Sequence, residues 1–285
     1  GNFHADDVFS TVLLENLYDN ITLIRLTEFD SDDKHIAYDI GLGKFDHHQA
    51  GYDKKRANGI HYCGFGLLWQ EYGREYLKKI NVTNIEDTFN VFDYLLVNMI
   101  DAIDNGEFDI KSDFNVLTVS NLIELFRPKF NEDKNEDIAF LEAVEFAKII
   151  FDLLIKDAIS KVDSINIIRE KLPTVENKLL ILEDYIPYEF ALFQLKNDIE
   201  FVIYPSTRGG YAAHTVPKRY KGMTPKVPFN PEWAGLRNSK LQKESGVSTA
   251  RFCHNKLFIA SAGELEDAIK LVRLSQRAHK INSIK

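Results

Sequence analysis

HIAYDIGLGKFDHHQ, residues 35–49, is the stretch of sequence that best indicates the fold. Its apolar run His35–Ile40 is bounded by polar residues and glycines, which is the pattern of a short β-strand. Asp39 stands near the end of that run, and the carboxyl edge of a sheet is where α/β proteins place their functional sites. Asp46–Gln49 (DHHQ) follows on a loop, and three of its side chains can bind or orient a metal ion. The stretch therefore predicts a strand, a glycine turn and a metal-binding loop in direct succession.

The segments around this stretch alternate between strand and helix patterns. Ile21–Leu26 (ITLIRL) is a second short strand-like run. Phe65–Ile80 and Asp87–Ile103 have apolar residues at helical spacing. Such alternation predicts an α/β domain with a parallel sheet. We assign this domain to residues 1–130.

The second half of the chain has a different character. A long helical pattern over Ile138–Lys171 predicts a helical connector, which we assign to residues 131–185. Residues 186–285 are predicted to form a smaller C-terminal α/β domain. Its predicted strands are Phe190–Gln194, Ile199–Tyr204, Tyr211–Val216 and Lys256–Ala260, and its predicted helix is Gly263–Ala278.

The charge is distributed unevenly along the chain. The formal net charge is -8, yet ten basic residues face only two acidic ones between Tyr204 and Lys256. This basic stretch either steers an anionic substrate or is a solvated surface. Cys63 and Cys253 form no CxxC pattern, so a reducing compartment is expected. The sequence has no run of about 18 apolar residues and no signal-peptide pattern. We therefore expect a soluble, cytoplasmic protein with no membrane partner.

Four clusters of histidine and aspartate suggest a metal site. Each has a simpler explanation when taken alone: a surface histidine, a turn-forming aspartate or a helix-end aspartate. Taken together, nitrogen and oxygen donors without cysteine favour manganese, with magnesium, cobalt or zinc as alternatives. Several carboxylates at one site would repel each other unless more than one ion were bound, so two divalent ions are expected. The clusters are His4 with Asp6, Asp39, Asp46-His47-His48, and Asp101 with Asp104.

Five motifs carry a resemblance to a known family. They are FHADD (3–7), FDHHQ (45–49), IDAIDNG (100–106), PEWAGLR (231–237) and FCHNKLFIA (252–260). With these motifs the chain resembles the melanocyte proliferating gene 1 family, a DHH-like group within the DHH phosphoesterase superfamily, over nearly its whole length. The resemblance implies a metal-dependent hydrolase, and the eukaryotic members are described as 3′–5′ RNA exonucleases.

The resemblance also implies a role for each site residue. Asp39 would bridge the two ions, His48 would lie beside the scissile phosphate, and Asp46 would orient a histidine. A further histidine ligand would directly precede Gly1, outside this sequence. The other ligands that the resemblance implies are His4, Asp6, His47 and either Asp104 or Asp101.

In DHH enzymes a C-terminal domain closes over the active site and contacts the substrate. The candidates for this role in the basic stretch are Arg208, Gly209, Gly210, His214, Arg237 and His254. His214 is equally compatible with a core position, and Gly209-Gly210 with a hairpin turn. Trp233 is expected to pack between domains rather than to stack on a base.

Three functions agree with these features. The first is a phosphodiester hydrolase, a 3′–5′ exonuclease on RNA or short oligonucleotides. The second uses the same chemistry on a small phosphate compound such as pyrophosphate or a cyclic dinucleotide. The third is a metal-binding nucleic-acid adaptor without turnover. The net acidic charge disfavours broad duplex binding but permits a narrow basic cleft. A homodimer is compatible with the sequence.

Overall fold

A computed structural model describes residues 2–30, 32, 34–109 and 111–282. The chain divides into two compact units, residues 1–162 and 163–285. The division falls within one long helix, Glu136–Lys171, which occupies most of the segment assigned to a connector. Within the described residues, no helix is both long and apolar enough to cross a membrane.

The first unit is built from helices packed around an aromatic core. Trp69 lies between Phe89 and Phe92, with ring centroids 5.2 and 4.5 Å away, and Phe92 contacts Phe151 at 4.9 Å. The helices predicted from periodicity are confirmed with small shifts of their ends. In chain order the helices are α1 Ala5–Leu17, α2 Gly64–Lys79, α3 Ile85–Phe92, a π-helical turn Asp93–Val97, α4 Asn98–Asp104, α5 Val119–Glu124 and α6 Glu136–Lys171.

The parallel sheet predicted for the N-terminal domain is wrong for the described residues. Ile21–Leu26 has no regular secondary structure, and His35–Ile40 contributes only an isolated bridge between Tyr38 and Phe45. Ile24 and Leu26 are 64% and 50% exposed. A strand pattern predicts local conformation only, whereas a sheet also needs a neighbouring strand to pair with the backbone. These two segments line a groove beside α1 instead.

The second unit contains a five-stranded mixed sheet. Its strand order is β1-β2-β3-β5-β4, and only the β1–β2 pair is parallel. One face packs against α9 through Phe201, Ile203 and Leu271. The second unit thus combines strands and helices, but β1 lies before residue 186, and the domain bounds assigned from the sequence stay a prediction. Its elements are β1 Leu179–Ile181, α7 Tyr188–Gln194, β2 Phe201–Pro205, β3 Tyr211–Thr215, α8 Asn238–Ser245, β4 Ala250–Cys253, β5 Ile259–Ala262 and α9 Leu265–Asn282.

Some details of the second unit differ from the sequence prediction. Phe190–Gln194 was expected to be a strand but lies in α7, because a short apolar run has no periodicity that separates a strand from a buried helix. The strand expected at Lys256–Ala260 begins only at Ile259, and β4 was not predicted. Trp233 is 2% exposed and belongs to the core of this unit, rather than packing between domains.

Candidate metal site

The loop that follows Asp39 has a strained backbone. Asp39 and Leu42 have φ angles of 56° and 52°, in the left-handed region that side chains other than glycine rarely adopt. The loop closes through a hydrogen bond from the Asp39 N–H to the Phe45 carbonyl, 3.1 Å long. Strain of this kind persists where the surrounding structure enforces it, and it clusters at functional sites. The loop brings Asp39 back towards the two histidines.

Asp46 supports this loop from the inside. Its carboxylate is 2% exposed and accepts hydrogen bonds from the backbone N–H groups of Leu42 and His48, at 2.7 and 2.9 Å. The same carboxylate lies 2.9 Å from Nδ1 of the His48 ring. Because Nδ1 is held by Asp46, Nε2 is the nitrogen of His48 that is left for other contacts. His48 itself is exposed and lines a cavity of about 230 Å³.

His47 lies between two carboxylates. Its Nε2 is 3.1 Å from Oδ2 of Asp104, and its Nδ1 is 3.5 Å from Oδ1 of Asp39. The second pair is close enough for an ionic contact but lacks hydrogen-bond geometry, so both atoms are buried without a hydrogen-bond partner. The His47 and His48 rings are stacked with centroids 4.2 Å apart. His47 thus connects the DHHQ loop to the end of α4.

Asp6 completes the acidic cluster from the first turn of α1. It is fully buried, and neither carboxylate oxygen has a hydrogen-bond partner. One ligand atom from each of His4, Asp6, Asp7 and Asp39 lies within 4.8 Å of the others, and the same holds for Asp39 with His47 and His48. An ionised carboxylate costs several kcal/mol to bury without a partner, so a buried carboxyl group of this kind favours either a retained proton or a bound cation.

The pKa values of these groups follow from burial and mutual repulsion. Burial, together with the charges of Asp7 and Asp39, holds the pKa of Asp6 well above its usual range. Burial and the charge of Asp7 raise the pKa of Asp39 to about 8. For His47, burial acts to lower the pKa, but the hydrogen bond to Asp104 and the nearby carboxylates raise it overall. Without a cation these carboxyl groups therefore tend to hold protons, and a bound cation would favour their ionised forms.

Asp101 and Asp104 face different surroundings although both lie on α4. The Asp101 carboxylate accepts hydrogen bonds from Arg56 Nε at 2.5 Å and from the Cys63 N–H and thiol at 3.0 and 2.9 Å. Burial raises the pKa of Asp101 to about 6, although the Arg56 charge opposes this shift. Asp104 instead contacts His47. We therefore take Asp104, and not Asp101, as the candidate metal ligand.

Several residues of the site were missed by the sequence analysis. Arg56 binds both Asp93 and Asp101 and lies nearly buried. The Cys63 thiol and one carboxylate oxygen each of Asp6 and Asp104 lie within 4.8 Å of one another. Ser120 and Glu124 of α5 line the cavity with the histidines. None of these residues stands in a recognisable motif, so only the fold brings them together.

The candidate substrate residues in the second unit have separate environments. Gly209 and Gly210 form the hairpin turn between β2 and β3 with φ angles of 81° and 68°. A Cβ at Gly210 would overlap the Ala262 carbonyl oxygen, so this glycine is required for close packing. Arg208 is exposed beside the turn. The Gly209 carbonyl accepts a hydrogen bond from Arg251, at 2.8 Å.

His214, Arg237 and His254 are associated with aromatic rings. His214 lies on β3, and burial lowers its pKa to about 4. The Arg237 guanidinium is exposed and lies 5.0 Å from the Phe252 ring centroid. The His254 ring lies 4.3 Å from that of Phe258.

Comparison with known proteins identifies the family. The model of the MYG1 exonuclease family, described as "Uncharacterised protein family (UPF0160)", matches residues 1–275. This chain belongs to the MYG1 family. It is 29% identical to the MYG1 protein of Chlamydia pneumoniae over 292 residues, covering 96% of this chain and 94% of the relative. It is 26% identical to the MYG1 protein of Dictyostelium discoideum over 303 residues, covering 94% and 92%.

Some relatives of this MYG1-family chain have a functional name. The protein called MYG1 exonuclease in Mus musculus is 24% identical over 326 residues, covering 97% of this chain and 84% of the relative. A rat protein of the same name is also 24% identical, over 329 residues. No solved structure gives a significant match.

The donor set fits hard or borderline divalent ions. Carboxylate oxygens and imidazole nitrogens are the ligands that Mn²⁺, Mg²⁺, Co²⁺ and Zn²⁺ accept. The fold of the first unit brings such donors together in three overlapping clusters, which contain His4, Asp6, Asp7, Asp39, His47, His48 and Asp104 together with the Cys63 thiol.

Proposed function

We propose that this MYG1-family chain is a two-metal phosphodiester hydrolase of the DHH phosphoesterase type. We propose further that it is a 3′–5′ exonuclease on RNA or short oligonucleotides, with manganese as the favoured ion. The exonuclease names of the mouse and rat relatives support a nuclease. The arrangement of histidine and aspartate side chains supports dependence on metal ions.

One observation carries the proposal: buried carboxylate oxygens converge without hydrogen-bond partners. Both oxygens of Asp6 and one oxygen of Asp39 have no hydrogen-bond partner. A structural cluster of carboxylates is normally neutralised by Arg or Lys, as Asp101 is by Arg56. The contrast between these neighbouring carboxylates supports a cation site at Asp6 and Asp39 and a structural role for Asp101.

Asp39 is proposed as the residue shared by two ions. It belongs to the cluster with His4 and Asp6 and also to the cluster with His47 and His48. When bound, a metal pair supplies hydroxide near neutral pH and neutralises charge on the phosphoryl oxygens. The raised pKa of Asp39 means that a proton must leave this carboxylate as the ions bind.

His48 is proposed to act on the substrate. Its ring lines the cavity, and Asp46 fixes the ring through Nδ1. Nε2 would then donate a hydrogen bond to a phosphate oxygen or give a proton to the leaving oxygen. Asp46 would act through His48 by fixing its orientation.

The test is hydrolysis of a defined panel by the purified protein with Mn²⁺ or with EDTA. The panel contains single-stranded RNA and DNA labelled at either end, a dinucleotide, pyrophosphate and a cyclic dinucleotide. We expect Mn²⁺-dependent release of mononucleotides from the 3′ end of RNA. Release of mononucleotides from the 5′ end would contradict the proposed 3′–5′ polarity. Hydrolysis of pyrophosphate or the cyclic dinucleotide alone would favour the small-substrate alternative.

Matched variants show whether the hydrolysis comes from this site or from a contaminating nuclease. Asp39→Asn removes a candidate bridging ligand, whereas Asp19→Asn changes an exposed carboxylate that pairs with Lys79 in the same unit. We expect Asp39→Asn to lose hydrolysis and bound metal and Asp19→Asn to retain both. Unchanged activity in Asp39→Asn would refute the site.

A further inference from the structure

Six aromatic side chains of the second unit form an unbroken succession, which we call the aromatic strip. Neighbouring ring centroids along it are separated by 4.3 to 6.3 Å. Arg237 ends the strip, with its guanidinium 5.0 Å from the last ring. In spatial order the strip consists of Tyr185, Tyr204, His214, Phe258, His254 and Phe252.

Two central rings of the strip, those of Tyr204 and His214, are on the side of the sheet away from the α9 core. On β2 the side chain of Ile203 enters that core, so its neighbour Tyr204 points to the opposite face. On β3 the same alternation places Ala213 in the core and His214 on the opposite face. The strip is thus not part of the α9 core.

The strip is partly accessible, although the Tyr188 ring of α7 lies 6.0 Å from Tyr204 and 6.5 Å from His214, and it has basic groups at one end. Tyr185 is 62% exposed, and the other five rings are half-buried. Arg237 and Lys256 are exposed near Phe252 and His254. His254 Nδ1 accepts a hydrogen bond from the Lys256 N–H, so Nε2 is the ring nitrogen that can donate. The strip also lies largely within the basic stretch identified from the sequence.

Partly exposed rings beside positive charge match the chemistry of single-stranded nucleic acid. Unpaired bases stack on aromatic side chains, and the phosphates that link them are attracted to Arg and Lys. A duplex hides the faces of its bases, so it would lose the stacking contribution. We propose that the aromatic strip binds single-stranded nucleic acid by stacking on its bases, an inference that rests on the proposed function for the substrate class.

Binding is measured with EDTA present, so that the full-length protein cannot cleave the probe. The probes are a fluorescent single-stranded RNA, a duplex of the same sequence, and a single strand of the same length without bases. We expect the RNA strand to bind at least about tenfold more tightly than the strand without bases, since one stacked base contributes about that factor. A 2-aminopurine within the RNA should lose fluorescence on binding.

Variants then test whether the strip supplies the stacking. Tyr185→Ser changes an exposed ring and carries little risk to folding, while Phe258→Leu changes the middle of the strip. The control is Phe193→Leu, a half-buried ring of α7 that contacts Tyr220 outside the strip. The preference is the ratio of the Kd for the strand without bases to the Kd for the RNA strand. We expect both strip variants to reduce this ratio by about threefold or more without changing the salt dependence of Kd. The control should behave as the wild type.

Equal binding of the strands with and without bases would overturn the proposal. It would also be overturned if Phe193→Leu reduced the preference for the strand with bases as much as the strip variants do. Failure to bind any strand would overturn it too, and an interface for protein would then become the better explanation of the strip. The proposed function is tested separately by Mn²⁺-dependent hydrolysis of a dinucleotide. Hydrolysis without base-dependent binding would refute only the proposed role of the aromatic strip. Base-dependent binding without hydrolysis would refute only the proposed enzymatic function.

Discussion

His47 Nε2 lies 3.1 Å from Oδ2 of Asp104, and this contact joins the DHHQ loop to the end of α4. It distinguishes Asp104 from Asp101, three residues earlier on the same helix. We expect Asp104→Asn to weaken Mn²⁺ binding by more than about tenfold, because the neutral amide is a poorer metal ligand than a carboxylate. Isothermal titration of the metal-free protein measures this change. Wild-type affinity in Asp104→Asn would contradict its role as a ligand.

Asp101→Asn should lower the stability of the protein and leave its metal binding unchanged. Its carboxylate is fully buried against Arg56, so neutralising it leaves the Arg56 charge with Asp93 as its remaining acidic partner. Breaking a buried ion pair costs about 3 kcal/mol of unfolding free energy. We expect denaturant unfolding to report that loss, while the number of bound ions stays the same. A loss of metal without a loss of stability would show that Asp101 is a ligand.

The stability of the metal-free protein should fall as the pH rises. The pKa of Asp39 is about 8 in the folded protein against an ordinary value of 3.8. Between these values the folded state holds a proton that the unfolded state has released. The stabilising contribution is therefore complete below the ordinary value and is lost as the pH approaches the folded value. The raised pKa of His47 acts in the same direction.

The measurement is Tm in EDTA across this window. We expect Tm to fall by about 5 °C or more between about pH 5 and pH 8. Saturating Mn²⁺ should remove most of the slope, because bound cations favour the ionised carboxylates. Asp39→Asn in EDTA should have a flatter profile than the wild type. A metal-free Tm that rises through this window would contradict the predicted sign.

His48→Ala should separate turnover from metal binding. His48 is exposed and fixed by Asp46, whereas His47 is nearly buried between carboxylates. We expect His48→Ala to keep its metal content and to lose about 10²–10⁴ in kcat, the range for a group that transfers a proton. Asp46→Asn should have a smaller effect because it disturbs only the orientation of His48. Loss of bound metal in His48→Ala would show that His48 is a ligand instead.

The part of the site that is local in sequence was the most predictable. FDHHQ brings Asp46, His47 and His48 together within three residues, and the structure keeps them at one cavity or directly behind it. The choice between Asp101 and Asp104 was not predictable. Helical spacing places both on similar faces of α4, and the decision depends on Arg56, which lies 45 residues away from Asp101 in sequence.

In the fold, too, the features that depend on residues near in sequence were the most predictable. Helices such as α2 have an internal periodicity, because their hydrogen bonds join residues that are near in sequence. Ile21–Leu26 has the composition of a strand, but composition does not reveal whether a partner strand is present. In the second unit the strands β2 and β3 are joined by a short turn, so their pairing could be anticipated from the sequence.

Gly66→Ala should destabilise the protein although it replaces a glycine within a helix. In an open helix this change stabilises by up to about 1 kcal/mol. Here a Cβ at position 66 would overlap the Asp101 carboxylate, which Arg56 and Cys63 hold in place. We expect a loss of about 1–3 kcal/mol, the usual cost of overpacking. A double-mutant cycle tests the cause, because the cost should largely disappear when Gly66→Ala is made in Asp101→Ala. If the cost is the same in both backgrounds, contact with Asp101 is not its source.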